Sequence, residues 1–424
     1  MNYIELKNYI NSEQIDSILK TMTCIDDVSS EKNRYLGLLE EAYKTFGDGD
    51  YHFISSPGRS EVGGNHTDHQ HGHVLACGVN IDDVVVFKAN NTNVCNYSYK
   101  NKIIKVDIND LEVHEEQFNT SESLIRGVAA RLNQLGYKLG GFDAVCDAQV
   151  FSGSGISSSA CFEVMLVEMF NSLFNEGKVS PIDRAIIGQY AENVYFGKPS
   201  GLMDQMAISV GGFVAIDFKD PSKPVIDNYE FSFSDSGYEL VLVNTKGDHA
   251  DLSHEYAAVP NEIKDVGKQL GVDYLADSSM DKLLSNMKDI RETVKNDRAV
   301  LRAFHFYNED KRAIDEALAC KNKDIDSLLK LMNESGRSSY EYLQNVYPAS
   351  RPTSQSLSIG LALSDYYLKG KGAYRVHGGG FDGTIQVVVP KDMLEGYKTL
   401  ISSVFGSDAL LQVRVRPFGT KLVI

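Results

Sequence analysis

The chain lacks the features that would place it in several large protein classes. Its six cysteines, Cys24, Cys77, Cys95, Cys146, Cys161 and Cys320, are scattered through 424 residues with no C-x-x-C pair. That spacing argues against a zinc or redox motif, and a disulfide framework belongs to much shorter secreted chains. The cysteines read instead as small buried hydrophobes. No apolar run reaches the roughly 18 residues that a membrane-spanning helix needs. The opening residues, Met1-Asn-Tyr-Ile-Glu-Leu-Lys-Asn, show no basic region followed by an apolar one and do not read as a signal peptide. A cytoplasmic location is the expectation. Positive charge is scarce: 42 Lys and Arg face 58 Asp and Glu, a net charge of −16. No basic cluster offsets it, so neither nucleic acid nor an anionic membrane is an expected partner. Any phosphorylated ligand must be held by local backbone dipoles and a metal ion, against the overall field.

What is present is a long, normally apolar chain, too long for one ordinary core, which predicts two domains. Apolar residues at helical spacing (Ile15, Ile18, Leu19, then Leu36, Leu38, Leu39, Ala42, Tyr43) make 1–45 a helical N-terminal extension. Strands are expected at 51–56 and 81–89, with a loop rich in His, Gly and Asp over 57–73. An amphipathic helix follows at 121–136. Phe142, Ala144, Cys146, Ala148 and Val150 alternate with Asp143, Val145, Asp147 and Gln149, the pattern of a strand with one apolar face. A polar stretch with Pro221 and Pro224 marks the domain boundary, dividing the chain into 46–225 and 226–424.

The strand at 142–150 runs straight into Ser152-Gly-Ser-Gly-Ile-Ser-Ser-Ser-Ala160, and a helical stripe follows (Phe162, Met165, Leu166, Met169, Phe170, Leu173). Strand, glycine turn, helix is an arrangement in which successive N–H groups converge on an anion, helped by the positive end of the helix dipole. Taken alone, the segment fits either an anion cradle or an ordinary turn with a serine cap. It is not a Walker A loop, because Gly197-Lys198 is followed by Pro199. Nor is it a dinucleotide fingerprint, because position 158 is Ser where a third glycine is needed. The protein-kinase D-F-G appears only scrambled, as Phe381-Asp-Gly383, with no H-R-D loop.

Four segments together carry a resemblance. Gly153-Ser-Gly-Ile-Ser-Ser-Ser-Ala160 resembles the second motif of the GHMP small-molecule kinases, G-x-G-L-S-S-S-A. Pro57-Gly-Arg-Ser-Glu-Val-Gly-Gly-Asn-His-Thr-Asp68 resembles the galactokinase signature, P-G-R-x-N-x-I-G-E-H-T-D-Y. Gly201-Leu-Met-Asp-Gln205 resembles G-I-M-D-Q, and Val376-His-Gly-Gly-Gly-Phe-Asp-Gly383 resembles the third motif, G-G-G-F-G-G. They fall in the family's order and spacing, from about residue 48 to the C-terminus. The resemblance implies an α/β (α+β) fold of two lobes: an N-terminal lobe with a βαβ-like phosphate loop, a ferredoxin-like C-terminal lobe, and the active site in the cleft. It implies an ATP-dependent sugar 1-kinase, a monomer or weak homo-oligomer whose partners are a sugar, ATP and Mg²⁺. Gly153, Ser154, Gly155, Ile156, Ser157, Ser158, Ser159 and Ala160 match the ATP phosphate loop. Arg59 matches the arginine beside the reacting anomeric hydroxyl, and Asp204 the catalytic aspartate. Asn65, His66, Asp68, Gly201 and Tyr256 match sugar contacts. Ser159 aligns with a Mg²⁺ ligand, and Glu163, four residues on, shares its helix face and is a second metal candidate. The chemistry suits these types: the transfer needs a proton acceptor aligned with the γ-phosphate, and a guanidinium stabilises developing negative charge.

The departures concentrate in the sugar signature. Asn65 stands where the family has Glu, Glu61 where it has Asn, Gly63 where it has Ile, and His69 where it has Tyr. In galactokinases the missing glutamate accepts a hydrogen bond from the C6 hydroxyl. Galactose is the expected acceptor. A galactose relative altered at C6, such as galacturonate, is the alternative, since His66-Thr-Asp-His-Gln70 shares the H-x-D-H-Q ending of galacturonate kinases. A non-catalytic sugar and ATP sensor is the alternative of another class.

Overall fold

A computed structural model describes residues 1–150, 155–247, 252–381 and 383–424. Its strands are β1 (His52–Gly63), β2 (His73–Ala89), β3 (Val94–Tyr99), β4 (Lys102–Asp107), β5 (Phe142–Ala148), β6 (Phe213–Asp217), β7 (Val225–Tyr229), β8 (Tyr238–Asn244), β9 (Ala373–Val376), β10 (Thr384–Pro390), β11 (Leu410–Val413) and β12 (Lys421–Leu422). Among the described residues they form two sheets. The first runs β12-β1-β2-β5-β3-β4. β2 is long enough to serve two partners: Asp83–Ala89 pairs with β5, and His73–Cys77 with β6, which in turn carries β7. The second sheet, β11-β8-β10-β9, is antiparallel throughout.

Helices cover both faces of the first sheet. On one lie α1 (Tyr3–Asn11), α2 (Asp16–Thr23) and α3 (Ser29–Phe46), whose Leu6, Ile10, Leu19, Tyr35 and Leu39 pack on Phe53, Val84, Val86 and Val145. Each such side chain contributes about 1.5–3 kcal/mol of burial, so the N-terminal helices are an integral cover of the sheet. Arg34 fixes them polarly, reaching Asp82 at 2.7 Å and Asp147 at 2.6 Å. On the other face lie α4 (Ser121–Gln134), α5 (Ser158–Phe174) and α6 (Pro181–Tyr190). A π-helical turn (Ala191–Phe196) and α7 (Met203–Val210) follow α6.

The second half adds α8 (Ser253–Leu270), α9 (Met280–Ser285), α10 (Met287–Val294), α11 (Asp297–Lys321) and α12 (Ile325–Ser338), then α13 (Ser356–Leu368) and α14 (Leu394–Phe405). One apolar core joins the two sheets: Val62, Leu75 and Cys77 of the first meet Leu240, Leu242 and Val388 of the second, and it includes Phe213, Phe231 and Phe233, with Phe231 edge-to-face against the other two. Five of the six cysteines are buried and all are free, as their apolar neighbours suggest. Among the described residues no helix is long and apolar enough to cross a membrane.

Two sequence expectations shift. The loop expected over 57–73 is shorter, because β1 continues to Gly63. Pro57 and the glycines read as breakers, but the pairing of β1 with β2 absorbs them in two register shifts, between Pro57 and Arg59 and between Glu61 and Gly63. Gly58 is there for space: a Cβ would lie 2.9 Å from the Ile156 side chain and 3.0 Å from its carbonyl. The polar stretch at 220–235 holds β7, whose exposed edge position explains its composition. β7 and the C-terminal β12 both belong to the first sheet, so sheet membership does not divide at 225/226.

Candidate active site

The first bulge of β1 delivers Arg59 to the Gly-Ser segment that precedes α5. Its N–H donates to the Ile156 carbonyl at 3.0 Å, and its Nη1 to the Gly155 carbonyl at 2.6 Å. The rest of the guanidinium grips Asp204 on the first turn of α7: Nε to Oδ1 at 2.6 Å and Nη2 to Oδ2 at 2.8 Å. This fork-to-fork geometry is the strong form of the pair. Ser157 adds a third bond, its hydroxyl donating to Asp204 Oδ2 at 2.6 Å. Burial works against the charge on Asp204, but the Arg59 guanidinium and these hydrogen bonds outweigh it and hold the carboxyl below the usual carboxylate range. Asp204 is therefore ionised at neutral pH, and it is more open to the site (28% exposed) than its arginine (8%).

Asp68 lies against the G-L-M-D-Q segment. A Cβ at Gly201 would fall 1.7 Å from Asp68 Oδ2, so glycine is what allows the carboxylate to sit there. Burial, and then the nearby Asp204 charge, push the Asp68 carboxyl up to about 6. His66, at φ 59°, turns its Nε2 to the Gly379 carbonyl at 2.9 Å. Burial lowers its pKa to about 4, so the ring is neutral and Nε2–H donates. Tyr256 spans the third glycine-rich segment, its hydroxyl donating to the Gly380 carbonyl at 2.9 Å. Arg59, Asp204, Asp68 and Gly201 thus form one group, and His66 and Tyr256 join it through Gly379 and Gly380.

Asn65 is placed otherwise than its alignment implies. It is fully buried, and its side chain is saturated by protein: Nδ2 donates to Glu61 Oε1 (2.9 Å) and the Gly378 carbonyl (2.7 Å), while Oδ1 accepts from Asn345 Nδ2 (2.9 Å) and Ser339 Oγ (3.3 Å). Glu61 in turn binds Arg375 Nη2 at 2.7 Å. The backbone N–H groups of Gly64 and Asn65 both donate to Glu309 Oε1 at 3.2 Å, and the Asn65 carbonyl meets His305 Nε2 at 2.8 Å. Position 65 is a joint between the signature loop and α11, the 339–345 segment and the third glycine segment.

In the phosphate loop, Gly153 and Ser154 lie outside the described residues. Gly155 and Ser157 both take positive φ, 79° and 64°, before α5 begins at Ser158. Ile156 and Ala160 are fully buried in the core between the sheets. Only their backbone is left to face a ligand.

Ser159 does not meet Glu163. Its hydroxyl donates to Glu192 Oε1 at 2.8 Å, which also takes Lys198 Nζ at 2.8 Å. Glu163 lies one amide behind: Gln205 Nε2 bridges Glu163 Oε2 and Glu192 Oε2, each at 2.9 Å. Burial, then the neighbouring Glu192 charge, drive the Glu163 carboxyl well above its ordinary value. Among the described residues no three His, Cys, Asp or Glu side chains gather as a metal cage. The Ser159 hydroxyl and Glu192 carboxylate are hard oxygen donors of the kind Mg²⁺ takes, one or two from protein with phosphates and water completing the shell. Glu192 escapes sequence reading because the π-helical turn, not a motif spacing, brings it to Ser159, and Lys198, just past that turn, reaches Glu192. π-Turns gather at functional sites, but this one has no sequence signal.

Residues 123–212 match the GHMP kinases N terminal domain, and residues 42–89 the galactokinase galactose-binding signature. A galactokinase from Clostridium tetani is 27% identical over 375 residues, covering 86% of this chain and 91% of that protein. One from Limosilactobacillus reuteri is 28% identical over 393 residues, covering 88% and 94%. Among solved structures, Lactococcus lactis galactokinase complexed with galactose superposes with a TM-score of 0.76 at 22% identity, covering 90% of this chain and 98% of that one. Methanococcus jannaschii mevalonate kinase reaches 0.60 at 16%, covering 87% and 99%.

Proposed function

We infer that this chain, a member of the galactokinase family of the GHMP kinases, transfers the γ-phosphoryl group of ATP to the anomeric hydroxyl of galactose. The observation that carries this reading is the Arg59–Asp204–Ser157 constellation, which ties a proton acceptor to the end of a phosphate loop, at Gly155 and Ser157. In it Asp204 accepts the hydroxyl proton as the O1–P bond forms and the bond to the ADP oxygen breaks. Arg59 keeps Asp204 ionised and adds positive charge where negative charge develops. The transition state of such transfers is loose, so alignment contributes more than base strength. Asp68 accepts from sugar hydroxyls, and His66 and Tyr256 border them. The loop backbone from Gly155 to Ser159 and the N-terminus of α5 receive the phosphates. Mg²⁺, held through Ser159 and Glu192, supplies the charge neutralisation on the phosphates that a chain of net charge −16 lacks.

A coupled ADP-release assay across galactose, galacturonate, N-acetylgalactosamine and arabinose tests the assignment. Galactose is expected to give the highest kcat/KM. A preference for the uronate, or binding of sugar and ATP without turnover, would overturn it.

The pH dependence should report Asp68. With its carboxyl near 6, protonation below that pH removes an acceptor for the sugar. Because Asp204 stays ionised over the same range, KM for galactose is expected to rise toward about tenfold per pH unit below 6, with kcat little changed. Asp68→Asn should raise KM and flatten that acid limb. An unchanged limb in the variant would assign the titration elsewhere.

A further inference from the structure

Two side chains tie the phosphate loop to Asp204. Arg59 does so through the Gly155 carbonyl, and Ser157 does so directly. Serine immediately before a helix ordinarily caps it, accepting from a backbone N–H of the first turn. Ser157 makes no such cap bond on α5 and sits at φ 64°, ψ 76°. That left-handed conformation is strained for a non-glycine residue. The backbone strain points its hydroxyl at the carboxylate instead.

The occupancy of Asp204 makes this placement consequential. A carboxylate oxygen offers about two acceptor positions. On Oδ2 both are taken, by Arg59 Nη2 and by Ser157 Oγ. A sugar hydroxyl approaching Oδ2 must displace one of them. The Arg59 bond is charged and part of a two-point grip. The Ser157 bond is made by a neutral hydroxyl on a short side chain, so it is the weaker of the two. The competitor for that hydroxyl is equally local: a phosphate at the N-terminus of α5 is a strong anionic acceptor beside residue 157.

We propose that Ser157 is a positioning residue that couples the nucleotide site to the sugar site. In the empty enzyme its hydroxyl fills the second acceptor position on Asp204 Oδ2, leaving the reacting sugar hydroxyl only the free position on Oδ1, and a nucleotide phosphate draws it away so that Oδ2 opens as well. The proposal rests on the kinase function inferred above. It makes sugar affinity depend on nucleotide, and it keeps Asp204 Oδ2 occupied when no donor is present.

The test is calorimetric titration of galactose with and without a non-hydrolysable Mg·ATP analogue, on the wild type, Ser157→Ala and Ser157→Gly. Glycine suits the positive φ, so it removes the hydroxyl without strain. For the wild type, the analogue is expected to tighten galactose binding about tenfold, the scale of one hydrogen bond to a charged group. In both variants galactose should bind about as tightly without nucleotide as the wild type does with it, and the analogue should add less than twofold. A serine with a merely structural role would leave the coupling intact or weaken galactose under both conditions; either result overturns the proposal. A wild type that neither binds nor phosphorylates galactose overturns the function itself, which the coupling ratio cannot mimic.

Discussion

Asp204→Asn is expected to lower kcat about a thousandfold, within the range of 10²–10⁴ that a positioned proton acceptor contributes. The amide keeps the shape and can still accept from Arg59 through its oxygen, but it cannot take a proton. Galactose binding measured by calorimetry should change far less than turnover, because Asp68, His66 and Tyr256 are untouched. The variant carries a second cost. Arg59 is nearly inaccessible (8% exposed) and loses its ion-pair partner, so thermal stability should fall as well. Single-turnover measurements on folded variant separate the two effects. A kcat within tenfold of wild type would show that Asp204 does not take the proton in the rate-determining step.

Much of this site is legible along the chain because each of its parts is local. The phosphate loop is announced by the alternation over 142–150 and the stripe that follows, and β5 and α5 form there. Arg59, Asp68, Gly201 and Asp204 sit in short motifs, and the structure gathers them. The failures share a physical cause. Pro57 and Gly58 are local breakers, yet pairing with β2 overrides them, and the resulting bulge is what brings Arg59 to Gly155. Glu163 has the right helix face relative to Ser159, but Glu192 on the π-helical turn comes between. Asn65 reads as a substrate contact because its neighbours do. Apart from nearby Glu61, its side-chain partners come from residues 339, 345 and 378, and the carboxylate holding its backbone from residue 309. No window of sequence contains that joint.

That joint gives the second large effect. Introducing the glutamate of the galactokinase signature by Asn65→Glu should destabilise the protein by about 3–5 kcal/mol, with no gain in galactose affinity. The ionised side chain has no donor, so the Glu61 carboxylate and the Gly378 carbonyl would both lose the amide N–H they accept and face a second carboxylate instead. Burial raises the Glu61 carboxyl; Arg375 opposes that most, and Arg59 and the Asn65 amide, which the substitution removes, oppose it further. Neutralising the new Glu by protonation supplies one donor where two are needed. Glu61→Asn alone is also costly, since it strips buried Arg375 of its ion pair. The two changes together exchange the residue types between positions 61 and 65, as the family signature has them. They leave one carboxylate and one amide in the same pocket, so the double variant should be less destabilised than the sum of the singles by about 1–3 kcal/mol. Urea unfolding of the four proteins measures that coupling. If Asn65→Glu alone is as stable as the wild type and binds galactose more tightly, position 65 faces the sugar, and its hydrogen bonds to Glu61 and Gly378 are dispensable.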